Sequence, residues 1–134
     1  MLTKEQGWLA GTGREEGATP TVLIMAHYDH FSLVPGLSQG ANDNASGTVA
    51  LLELARLYHL LYRQASAPSP FNLLFLLTSG APLNYQGAQE WLLSVDTRLA
   101  KSVELVLSLE ELASGAWFAG PISYCSRLTI PRFP

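Results

Sequence analysis

The segment that decides the fold is TVLIMAHYDH at residues 21–30. Its first six residues, 21–26, are apolar or β-branched, which is typical of a strand buried on both faces of a sheet. Polar side chains follow directly, beginning with His27. Because ligand sites in parallel sheets collect at the carboxyl ends of the strands, residues 27–30 mark a candidate site.

Outward from this segment, the chain alternates between predicted strands and helices. Residues 45–62 place apolar side chains at helical spacing with charged side chains opposite, which predicts an amphipathic helix. The remaining predictions are a buried strand over 73–77, parallel to the first, a short helix over 87–95, a strand over 103–109 and a short strand over 8–13. This order predicts an α/β fold with a mainly parallel sheet and right-handed crossovers.

Composition and charge exclude several classes of protein. The 134 residues suit one domain, and 48% apolar with only 14% charged residues excludes a disordered chain. A net charge of −3 with scattered Lys and Arg argues against nucleic acid as a partner. The lone Cys125 provides neither an intrachain disulfide nor a thiolate zinc cluster. No membrane span is expected within this chain, since the longest apolar run, 73–77, is far below ~20 residues.

Two short motifs carry side chains suited to metal chemistry. In HYD at 27–29, His27 could bind zinc while Asp29 holds its other ring nitrogen, although a histidine at a strand end is more often an ordinary polar residue. In GANDNASG at 40–47, Asp43 comes just before the predicted helix, where a helix N-cap is the competing interpretation.

Together with VALLELARL at 49–57, these two motifs resemble the di-zinc aminopeptidase family. The resemblance implies a three-layer aminopeptidase-like fold of the phosphorylase/hydrolase type with a mainly parallel sheet, here truncated. It also implies that His27 matches a histidine that binds one zinc ion. In the same way, Asp43 matches the aspartate that bridges both zinc ions.

The same resemblance implies that the catalytic set is lost. The family carries an adjacent glutamate pair after its next strand, one member being the general base and the other a zinc ligand. Counted back from Gly87, the pair falls on Ala81 and Pro82, and neither side chain can take a proton or bind zinc. Metal-assisted hydrolysis needs both groups, so no catalytic residue and no peptidase activity are expected.

The remaining ligand positions of the family are also changed. Glu110 stands where the family usually has an aspartate, and the family's distant histidine has no counterpart, because His59 falls on the first predicted helix. His30 could substitute in principle, but a solvated loop histidine is the more common case. The family resemblance thus leaves His27, Asp29, Asp43 and Glu110 as vestigial pocket positions. No cofactor is expected beyond weak, substoichiometric zinc at His27, Asp43 and Glu110.

NLLF at 72–75 and NYQG at 84–87, separated by a loop without glutamate, resemble a non-catalytic branch of that family. The branch implies a protein-binding subunit of an endoplasmic reticulum membrane complex, placed on the lumenal side. Its implied partners are a Nodal modulator-like subunit and a multi-spanning subunit. The implied roles are insertion of multi-pass membrane proteins at the translocon and restraint of Nodal signalling.

The resemblance spans about residues 8–112, so we assign 1–114 to a partial aminopeptidase-like domain and 115–134 to an unassigned tail. Two alternatives to a binding domain stay open. One is an active zinc aminopeptidase with a rebuilt site, and the other is a truncated isoform without independent function.

Overall fold

The computed structural model describes residues 4–12, 19–34, 36–64 and 69–113. In these residues the strands are β1 (Lys4–Leu9), β2 (Thr21–His27), β3 (Asn72–Thr78) and β4 (Val103–Ser108), and the helices are α1 (Gly47–Gln64), α2 (Gln86–Ser94) and α3 (Thr97–Ser102). Ala41–Ser46 forms an irregular helical turn that leads into α1. The predicted tail, 115–134, lies outside the described residues.

The four strands form one sheet in the order β1-β3-β2-β4. The central strand β2 is parallel to both β3 and β4, and β1 runs antiparallel to β3 at the edge. The predicted α/β fold with a mainly parallel sheet is therefore confirmed. None of the helices in the described residues is both long enough and apolar enough to span a membrane.

Helices cover both faces of the sheet, which gives three layers. Alternate residues of β2 and β3 point to opposite faces, as the period of a strand requires. On one face, α1 places Leu51 against Ile24 and Phe75. On the other face, Trp91 of α2 packs with Leu23, Leu74, Leu76 and Val106, and Leu99 of α3 adds to this cluster.

The first strand differs from its prediction. It spans Lys4–Leu9 rather than residues 8–13, and its first five residues are exposed. Its strand conformation comes from backbone pairing with β3, in which Lys4 lies opposite Thr78 and Leu9 opposite Leu73. Pairing at a sheet edge needs no buried side chain, so the first residues of this strand can be polar. A polar segment has no apolar pattern from which a strand could be predicted.

The three parallel strands place the candidate residues. His27 is the last residue of β2, the loop containing Ala81 follows β3, and Glu110 follows β4 by two residues. Since the carboxyl ends of parallel strands meet at one edge of a sheet, these residues converge.

Candidate functional site

A cavity of about 240 Å³ lies at the carboxyl ends of β2, β3 and β4. Its lining includes five of the six predicted positions together with aromatic and acidic neighbours: His27, Phe31, Asp43, Ala81, Pro82, Tyr85, Glu110 and Glu111. A larger cleft of about 450 Å³ lies between β1 and the helices α2 and α3. None of the predicted site residues lines that cleft, so the smaller cavity is the candidate site.

His27 is buried at the base of this cavity, with 7% of its surface exposed. Its Nδ1 atom lies 2.7 Å from the backbone oxygen of Asp29. A carbonyl oxygen only accepts hydrogen bonds, so Nδ1 carries the proton and donates, which in the neutral ring leaves Nε2 as the acceptor. Nε2 lies 3.6 Å from Oδ1 of Asp43, whose side chain is half-exposed.

Asp29 holds the loop that follows β3 rather than acting mainly on the imidazole. Its carboxylate accepts hydrogen bonds from the backbone N–H groups of Gly80 and Ala81. Its nearer carboxylate oxygen is 3.7 Å from Nδ1 of His27, beyond hydrogen-bond distance. The backbone carbonyl of Asp29 therefore fixes the ring, and its side chain fixes the position of the neighbouring loop.

The carboxylate of Glu110 accepts two hydrogen bonds from hydroxyl groups. The phenol of Tyr85 donates to Oε2 at 3.0 Å, and the hydroxyl of Ser108 donates to Oε1 at 2.7 Å. The pKa of Tyr85 is raised above its usual value, mainly by burial. The hydrogen bond to Glu110 and the negative charges around the phenol raise this pKa further. The phenol is therefore protonated at neutral pH and remains a donor, so it connects the loop after β3 to the loop after β4.

The residues present do not fit a pair of zinc ions. Two ions need carboxylates and imidazoles on both, whereas Ala81 and Pro82 carry no ligand atom and Glu110 is already bonded to two hydroxyl groups. Within the part of the chain that the structure describes, no group of three or more His, Cys, Asp or Glu side chains is arranged to hold a metal ion. The structure does bring together His27 and Asp43.

The other histidines have different positions. Nε2 of His30 lies 3.2 Å from the backbone oxygen of Ser38 and closes the base of the loop between them. His59 lies exposed on α1. Neither residue belongs to the lining of the cavity.

Asn44 is a residue whose role the sequence analysis missed. Its side chain is 1% exposed, and its amide nitrogen donates to the backbone oxygens of His27 and Leu109 at 3.0 and 2.8 Å. Its oxygen accepts from the backbone N–H of Glu111. Asn44 thus joins the ends of β2 and β4, and its position inside a motif with metal-binding residues was the only sequence signal.

The chain is similar to known proteins over most of its length. The family described as Peptidase family M28 matches residues 9–116. The BOS complex subunit NCLN of Rattus norvegicus is 41% identical over 121 residues, which cover 87% of this chain and 21% of the relative. The corresponding subunit of Danio rerio is 46% identical over 91 residues, 68% of this chain and 16% of the relative. Nicalin of Caenorhabditis elegans is 48% identical over 75 residues, 56% of this chain and 13% of the relative.

The chain spans about a fifth of the length of the first of these curated relatives, 21%. The matched region includes every element that surrounds the cavity, since residues 9–116 contain β2, β3, β4 and the loops that follow them.

Proposed function

Because this chain belongs to peptidase family M28, we propose that it is a non-catalytic aminopeptidase-like domain, similar to nicalin, that acts by binding other proteins. The observation that carries the proposal is the lining of the cavity. Ala81 and Pro82 line the same cavity as His27 and Asp43. Positions 81 and 82 are those to which the family resemblance assigns the adjacent glutamate pair. A methyl group and a pyrrolidine ring neither accept a proton from water nor bind a metal ion.

The competing function, an active zinc aminopeptidase, is favoured by one contact, the 3.6 Å approach of His27 and Asp43. These two side chains supply one imidazole and one carboxylate. Hydrolysis also needs a general base beside the attacking water. Glu110 is a poor candidate for that base, because its carboxylate accepts from Tyr85 and Ser108.

The biological setting is proposed from the relatives. The rat and zebrafish proteins are named as subunits of the BOS complex. We infer that this chain is of the same kind, on the lumenal side of an endoplasmic reticulum membrane complex that acts in multi-pass protein insertion at the translocon. A Nodal modulator-like subunit and a multi-spanning subunit are its proposed partners, and restraint of Nodal signalling is a proposed consequence.

A peptidase assay tests the non-catalytic proposal. With zinc or cobalt added, hydrolysis of chromogenic amino-acid amides by the purified full chain is expected to equal the buffer blank, because Ala81 and Pro82 stand where the family resemblance places its glutamate pair. His27→Ala is the matched variant and is expected to give the same blank rate. Turnover in the full chain that disappears in His27→Ala would contradict the proposal.

A retention assay tests the binding role. The tagged full chain, immobilised and incubated with detergent-solubilised endoplasmic reticulum membranes, is expected to retain a Nodal modulator protein detected by antibody. An active M28 aminopeptidase immobilised in the same way is the control and is expected to retain none. Equal amounts on both supports would show that retention does not depend on this domain, and the binding role would be rejected.

A further inference from the structure

The loop after β2 exposes large apolar side chains beside the cavity. Leu33 is 91% exposed, Leu37 is 84% exposed and Phe31 is 71% exposed, and Val34 is also exposed. Leu83, at the end of the turn that follows β3, is also exposed, and this turn lies at the same edge of the sheet as the loop after β2. We refer to these five residues, Phe31, Leu33, Val34, Leu37 and Leu83, as the apolar rim.

Hydrogen bonds give the loop a defined shape. The ring of His30 contacts the backbone oxygen of Ser38, and the N–H of Leu37 donates to the carbonyl oxygen of Val34. At the start of the loop, the N–H of Tyr28 donates to the carbonyl oxygen of Thr78. The apolar side chains are therefore presented outward by a closed loop, and exposed apolar groups held in this way mark interaction surfaces.

The carboxylates that line the cavity beside the apolar rim give it negative charge. Residues 31–42 contain no charged side chain, while Asp43, Glu110 and Glu111 line the cavity together with Phe31. Among the described residues that line this cavity, none is Lys or Arg. A complementary partner surface therefore combines large apolar side chains with positive charge.

We propose that the apolar rim and the adjoining cavity form a docking site for a segment of a partner protein that carries large apolar side chains flanked by Lys or Arg. The proposal rests on the proposed binding function and names the surface that performs it. A protein segment fits better than an anionic lipid surface, because the carboxylates beside the rim repel anionic headgroups. In addition, surfaces that bind anionic lipids ordinarily carry Lys or Arg.

Fluorescence polarisation with three labelled synthetic peptides tests the docking site on the full chain. The first peptide interleaves Leu and Phe with Lys and Arg, the second has Glu at each basic position, and the third has Ser at each apolar position. The first is expected to bind at least about tenfold more tightly than either of the others, because it alone offers both the apolar and the electrostatic match. Equal affinities for the first and second peptides would overturn the proposal.

Matched variants localise the binding. Leu33→Ser combined with Leu37→Ser is expected to weaken binding of the first peptide by about tenfold, since both side chains are in the rim. Leu93→Ser is the control, because Leu93 is 87% exposed but lies on α2 and outside the cavity lining. Its affinity is expected to stay within about twofold of the unmodified chain. Equal weakening by both variants would contradict the assignment of the rim.

Photocrosslinking separates the possible occupants. With p-benzoylphenylalanine at position 33, a crosslink to the first peptide is expected. A crosslink to residues 114–134 of the same chain instead would overturn docking of a partner segment. The proposal would also be overturned if the chain sedimented with anionic vesicles in a way that required the rim residues and that the first peptide did not inhibit. If Nodal modulator is still retained by the Leu33→Ser, Leu37→Ser chain, the rim assignment fails while the proposed binding function stands.

Discussion

Asn44→Ala is expected to lower the free energy of unfolding by about 3 kcal/mol and the melting temperature by about 10 °C or more. The side chain is 1% exposed and bonds three backbone groups, the oxygens of His27 and Leu109 and the N–H of Glu111. Alanine removes all three hydrogen bonds, although the His27 oxygen still accepts from the hydroxyl of Thr48. Each group left buried and unsatisfied costs about 1–3 kcal/mol. Urea unfolding followed by circular dichroism measures the change.

Two further variants separate the hydrogen bonds from the loss of volume. Asn42→Ala removes one acceptor, which bonds the exposed N–H of Ala113, and is expected to cost at most about 1 kcal/mol. Asn44→Asp keeps the shape but places one carboxylate oxygen against the carbonyl oxygens of His27 and Leu109, which raises the pKa of the introduced group in the folded state. Its stability should therefore fall as pH rises through that pKa and recover in acid. Similar losses for Asn42→Ala and Asn44→Ala would contradict the role given to Asn44.

The two central strands were predictable from sequence because most of their side chains are buried. β2 and β3 are continuous apolar runs between two helical layers, so burial on both faces is visible in composition. α3 was missed, because six residues are too few for a helical period to emerge. Its start is fixed instead by Asp96, whose side chain accepts from the N–H of Arg98.

The site was predictable as a set of positions but not as a set of contacts. His27 and Asp43 were singled out by their motifs, and the structure places them 3.6 Å apart. The bond from Tyr85 to Glu110 joins residues 25 positions apart, and nothing in local spacing indicates which hydroxyl meets which carboxylate. The same holds for the carboxylate of Asp29, which meets Gly80 only once β2 and β3 are paired.

These contacts share one structural consequence. Asp29 links the loops after β2 and β3, Tyr85 and Glu110 link those after β3 and β4, and Asn44 links the ends of β2 and β4. The three loops around the cavity are thus connected in every pair by side-chain hydrogen bonds. A rigid arrangement of this kind suits a surface that must present the apolar rim in one orientation, because preorganisation lowers the entropic cost of binding.

Gly47→Ala is expected to destabilise the domain by about 3 kcal/mol, although alanine ordinarily stabilises a helix relative to glycine by about 1 kcal/mol. Gly47 begins α1 against the end of β4, and a Cβ atom there would lie 2.1 Å from the backbone oxygen of Leu109. It would also lie 2.5 Å from Oδ1 of Asn44. Relief of the clash requires α1 to move away from β4, which disrupts the hydrogen bonds of Asn44.

Gly36→Ala is the matched control for this substitution. A Cβ atom at Gly36 meets nothing within 4 Å, so the change is expected to leave stability within about 0.5 kcal/mol of the unmodified chain or to raise it slightly. Thermal and urea unfolding of both variants, monitored by far-ultraviolet circular dichroism, compare the same chemical change in a closed and an open environment. If Gly47→Ala were as stable as Gly36→Ala, α1 could not be packed against the carbonyl of Leu109 as closely as the structure shows. The geometry of the whole site would then need revision, since Asn44 and Gly47 share the same contact with β4.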